Sequence, residues 1–119
     1  MQHDTALALA RTPRRRLSTG ERLGRAIRVL AGPRAEILDH SETPWASVTF
    51  AGSRHAFTLS FDGCAVSHDG ENFIAALPDH EFTLPGTLVA DATVCRVDHR
   101  MVPAPRLVVR IELLLLDES

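Results

Sequence analysis

The sequence contains no lysine, no tyrosine and only two cysteines among its 119 residues. Each scarcity excludes something. All thirteen basic side chains are arginine. A GC-rich bacterial gene favours arginine codons over lysine codons, and the absence runs through the whole chain. Codon usage, not selection for guanidinium chemistry, therefore explains it. Without tyrosine there is no set of aromatics interleaved with basic residues on which nucleic-acid bases could stack. Cys64 and Cys95 form neither a CxxC pair nor a zinc-ligand spacing. Both stand in or beside apolar, strand-like segments and read as buried free thiols.

Motifs are equally sparse. HxxxH, HExxH, GxSxG, GxGxxG and a GK[ST] loop are all missing. No metal and no cofactor is expected. The longest apolar run, Leu113 to Leu116, falls far short of the roughly 18 residues of a membrane-spanning helix. The opening MQHDTALALARTPRRR places its apolar stretch before the arginines, the reverse of the secretory order. The composition thus predicts a soluble, cytoplasmic bacterial protein with no membrane partner.

Charge is unevenly distributed. Residues 1–34 carry eight arginines against Asp4 and Glu21, a net of +6, and residues 35–119 carry a net of −8. A basic arm on an acidic body suits contact with nucleic acid or contact between copies of the chain. Residues 1–16 read as a flexible arginine-rich tail, with Arg14, Arg15 and Arg16 as candidate anion contacts, and residues 17–119 as one domain.

Along that domain, Ser18 and Glu21 have the S-x-x-E spacing of a helix capping box. Leu23, Ala26, Ile27 and Leu30 follow as one helical stripe, and Gly32-Pro33 ends it. A short strand is expected over residues 35–40. The stretch TPWASVTFAGSRHAFTLSFDG then reads as a hairpin turning at Gly52-Ser53. That turn would pair Phe50 with His55 and Val48 with Phe57 on one inward face. Asp69 is a candidate cap for a second helix holding Phe73, Ile74 and Leu77. Glu81 to Leu84, Leu88 to Asp98 and Arg106 to Leu116 read as further strands. The last has one wholly apolar row, Leu107, Val109, Ile111, Leu113 and Leu115. The pattern predicts an α+β fold: a mostly antiparallel sheet of five or six strands with two helices on one face.

Two polar clusters are candidates for chemistry. One holds His40 and Glu42, the other His80 and Glu81. If their loops met, they would supply imidazole bases and carboxylates for a metal-assisted hydrolase. His55, alone in an apolar row, reads as a structural histidine unless its end of the hairpin opens into a binding pocket. The outward row Val108, Arg110, Glu112, Leu114 and Leu116 is apolar at both ends, and Trp45 lies on the outward face of its own strand. A sheet face open to water should be polar throughout. Trp45, Val108, Leu114 and Leu116 therefore point to a contact, and the leading expectation is a non-catalytic binding or assembly module that self-associates. A nucleic-acid accessory protein using the arginine arm is the other alternative.

Overall fold

The computed structural model describes residues 16–118. Helix α1 spans Thr19–Ala31 and opens with the expected capping box. The Ser18 hydroxyl accepts from the Glu21 N–H at 3.1 Å, and the Glu21 carboxylate accepts from the Ser18 N–H at 3.1 Å. Two otherwise orphaned donors at the helix start are thereby satisfied. Leu23, Ile27 and Ala31 are buried along one stripe, and Gly32 at φ 97° closes the helix.

The sheet has four strands, not five or six: β1 (Glu36–Ala46), β2 (Ala51–Asp62), β3 (Thr87–Arg100) and β4 (Arg106–Asp117). They lie in the order β1-β2-β4-β3, and every neighbouring pair is antiparallel. Two corrections account for the difference in count. The short strand over 35–40 and the first strand of the hairpin are one continuous strand. The segment Glu81 to Leu84 supplies only an isolated bridge, Leu84 to Thr87.

The hairpin does not turn at Gly52-Ser53. It turns over residues 47–50, where the Ser47 N–H donates to the Phe50 carbonyl at 2.8 Å and the Ser47 hydroxyl accepts from the Phe50 N–H at 3.0 Å. A type II′ turn needs positive φ at its first central residue, and only Gly32, Gly63 and Gly86 have positive φ among the described glycines. Gly52 sits instead inside β2, paired with Trp45 on one side and Leu116 on the other. His55 accordingly pairs with Glu42 and Leu113, not with Phe50. Val48 and Phe50 are exposed at the hairpin tip.

Helix α2 spans Cys64–Ala76 and starts directly after Gly63, whose φ of 93° redirects the chain. Asp69 lies inside this helix, where it binds Arg34 at 2.8 Å, and caps nothing. Gly70 lets α2 approach the sheet. A Cβ at that position would lie 2.9 Å from the Phe61 ring. A short 3₁₀ turn, Leu77–Asp79, ends the helix at Pro78.

One hydrophobic core joins both helices to the same sheet face. It holds Leu23 and Ile27 from α1, Phe73 from α2, Phe57, Leu59 and Phe61 from β2, and the complete predicted apolar row of β4. Among the described residues, no helix lies on the other sheet face. This is an α+β domain whose two described helices lie on one side of a four-stranded antiparallel sheet, and no described helix is long and apolar enough to cross a membrane.

Both cysteines are exposed, not buried. Cys64 is the first residue of α2. Cys95 falls at an irregularity in β3 between Val94 and Arg96, and its thiol donates to the Glu112 carboxylate at 2.9 Å. Local desolvation, with that hydrogen bond and the carboxylate charge, pushes the Cys95 pKa up to about 11. From an ordinary value of 9.0 this lowers the thiolate fraction at neutral pH about a hundredfold, and higher intrinsic nucleophilicity returns about tenfold. Cys95 is thus expected to react with an aromatic disulfide reagent about tenfold more slowly than an ordinary exposed thiol. Peptide mapping of the labelled protein would measure this. Glu112→Gln should accelerate labelling at Cys95 and leave Cys64 unchanged.

Candidate functional site

The polar centre of the helix side is assembled by a one-residue irregularity. In β1, Ile37 pairs with Leu59 and Asp39 pairs with Thr58, so Leu38 is an extra residue. A β-bulge of this kind reverses which face the following side chains occupy. It sends Asp39 outward and brings His40 and Glu42 to the core side, opposite Phe57 and His55. In β2, Ser53, His55 and Phe57 already alternate inward.

The result is a hydrogen-bonded relay. The Ser53 hydroxyl lies 2.8 Å from His55 Nε2, and His55 Nδ1 lies 2.9 Å from His40 Nε2. Each contact holds one proton. In one tautomer His55 donates to His40 and accepts from Ser53; in the other both directions reverse. The Glu42 carboxylate stands 4.0 Å from His55 Nδ1. His55 is completely buried, while His40 stacks on Phe57 with ring centroids 4.0 Å apart and keeps one side open to solvent.

The first turn of α1 closes over this group. A Cβ at Gly20 would lie 3.1 Å from the Glu42 carboxylate, 3.2 Å from His40 and 3.4 Å from His55. Glycine at this position therefore has a packing reason. Burial lowers the pKa of both histidines, and the Glu42 charge partly offsets this. For His55 the neighbouring His40 lowers it further. At neutral pH the relay is uncharged apart from Glu42. A serine–imidazole contact of this length resembles an activated nucleophile. Here, however, no solvent reaches the imidazole, and its two nitrogens are engaged by Ser53 and His40.

The two clusters singled out in the sequence do not meet. His40 and Glu42 lie on β1, one edge of the sheet. The turn before His80 and Glu81 packs against β3, the opposite edge. His80 and Glu81 are exposed, and His80 makes an edge contact with Phe82 at 4.6 Å. Trp45 is half-buried on the outward face, as its alternation implies. Arg16 is exposed just ahead of α1, and Arg14 and Arg15, with the tail to which they belong, lie outside the described residues. The residues that sequence reasoning missed are Ser53 and Gly20. The i, i+2 spacing of Ser53 and His55 within one strand was the available signal for the first.

Beside the relay, a groove of about 470 Å³ runs between α1 and β1. Its floor is formed by Gly24, Ile37, His40 and Phe57, and Arg25 and Arg28 stand on its rim. Gly24 has no packing reason comparable to that of Gly20. A Cβ there would meet only the edge of Phe57 at 3.8 Å, an ordinary contact. Glycine inside a helix costs about 1 kcal/mol relative to alanine. Gly24→Ala is therefore expected to stabilise the protein by about that amount in urea denaturation. Among the described residues, no group of three or more histidine, cysteine or acidic side chains is arranged to hold a metal ion. Compared with protein families, curated proteins and solved structures, the chain matches none.

Proposed function

We propose that the protein is a non-catalytic assembly module that self-associates through the sheet face opposite its described helices. The observation that carries this reading is a row of residues crossing all four strands on that face. Trp45, Gly52, Leu116 and Leu88 are consecutive cross-strand partners. Trp45 and Leu116 are half-buried within the sheet, while Leu88 and the adjacent Phe50 are each 53% exposed. Exposed apolar surface of this kind, rimmed by charge, marks contact sites.

The next row supports a second copy as the occupant. It reads Thr43, Arg54, Leu114 and Asp91, so an arginine and an aspartate flank a leucine across the sheet. A second copy stacked face to face about a two-fold axis along β4 keeps this row level. It places Arg54 over the partner subunit's Asp91, and Leu114 over its own counterpart. An isologous contact requires this kind of self-complementarity. Arg54 has no ion pair among the described residues.

Sedimentation equilibrium tests the reading. The wild-type protein is expected to be dimeric. Leu114→Asp should be monomeric with an unchanged circular dichroism spectrum. Arg54→Asp should weaken the dimer by about tenfold or more, as expected for loss of close charge pairs and a new like-charge contact. The double change Arg54→Asp with Asp91→Arg should restore it. A wild-type monomer at high protein concentration would overturn the proposal.

A further inference from the structure

We propose that the groove between α1 and β1 binds a small organic anion with an apolar body. Three features of the groove support this. The first is charge. Arg34, Arg96 and Arg106 each have a carboxylate partner within 3.3 Å. Arg25 and Arg28 are exposed and make no such pair among the described residues, although the body of the chain is rich in acids. Two guanidinium groups one helical turn apart present ten N–H donors to one rim, a geometry suited to carboxylate, sulfonate or phosphate oxygens.

The second feature is the floor. Phe57 and His40 lie face to face with only 12° between their planes. The open outer face of the His40 ring, backed by the buried Phe57, and the half-buried Ile37 beside it form a base that would seat a hydrocarbon or aromatic body. Glu21 borders the groove as its one carboxylate, and its oxygen is engaged by the Ser18 N–H at the helix start. The anionic head would therefore lie at the Arg25 and Arg28 end.

The third feature is Gly24. It weakens the helix without relieving any close contact, and its missing side chain leaves the groove wall open beside the edge of the buried Phe57. A groove of about 470 Å³ falls in the range of ordinary small-molecule sites.

Anilinonaphthalene sulfonate joins an aromatic body to an anionic head and serves as the probe, with uncharged phenylnaphthylamine as its control. Saturable binding of the sulfonate to the wild-type protein is expected, with amide shifts in an NMR titration concentrated at residues 24–28, 37 and 57. The uncharged control should bind at least about tenfold more weakly, since it cannot engage the guanidinium groups. Arg25→Gln with Arg28→Gln, a surface change that spares the fold, should weaken the sulfonate by a similar factor. Gly24→Leu should fill the groove and abolish binding. Absence of saturable binding, shifts elsewhere in the molecule, or equal affinity in the arginine variant would overturn the proposal. So would a change of oligomeric state in Gly24→Leu, which would make the groove a contact between subunits.

Discussion

Gly52→Ala is expected to destabilise the protein by about 3 kcal/mol, the upper end of ordinary overpacking costs. The reason is steric. A Cβ on Gly52 would run into the carbonyl of Leu115 in the adjacent strand, and backbone cannot move aside as a flexible side chain can. The backbone conformation itself would tolerate alanine, because φ at Gly52 is not positive. Gly86→Ala makes the comparison. Gly86 has φ 68° and nothing within 4 Å of its added Cβ, so its cost is only local backbone strain of about 1 kcal/mol. Urea denaturation of both variants checks the difference. A Gly52→Ala cost no larger than that of Gly86→Ala would mean that β2 and β4 do not approach closely there. The same substitution should loosen the row from Trp45 to Leu88, and with it any dimer built on that face.

Gly52 also shows why the sequence misled at this point. A glycine followed by serine between two alternating segments has the composition of a tight hairpin turn. The demand it meets here is close approach of a third strand, β4, whose Leu115 is 63 residues away in sequence (115 − 52). Local pattern carries no trace of that neighbour. Where burial follows from local alternation alone, the reading was accurate. The row from Leu107 to Leu115 is buried throughout, as is the row Phe57, Leu59, Phe61. The capping box of α1 was equally legible, because both partners lie within four residues.

The candidate site was legible only in part, for a related reason. His40 and Glu42 looked like members of a loop, because their neighbours Asp39, Ser41 and Thr43 are polar as well. They lie on an edge strand, where one face meets the core and the other meets water. The bulge at Leu38 decides which of them faces inward, and one extra residue leaves no distinctive composition. His55 was visible as a lone polar residue in an apolar row. Its partners were not, because they depend on the register that Gly52 obscured.

His55→Ala is expected to cost about 3 kcal/mol or more, because it removes a fully buried ring and leaves Ser53 and His40 without their shared partner. The relay also predicts a dependence on pH. Both histidines have folded pKa values lowered from 6.5, chiefly by burial. Above pH 6.5 they are neutral in both folded and unfolded chains, and the relay contributes fully. As pH falls below 6.5 the unfolded chain takes up protons first, so stability declines through the folded pKa values. Denaturation midpoints measured from pH 7.5 downward should therefore fall on acidification. Leucine at position 55 would remove one of the two titrating groups. The decline from pH 6.5 should be shallower in His55→Leu than in the wild type, even though that variant is less stable at pH 7.5. Glu42→Gln should act in the opposite direction, because the Glu42 charge favours protonation of both rings in the folded state. Without it their folded pKa values drop further, and the loss of stability becomes larger and extends to lower pH. Parallel curves for the wild type and His55→Leu would show that the buried pair does not couple folding to protonation.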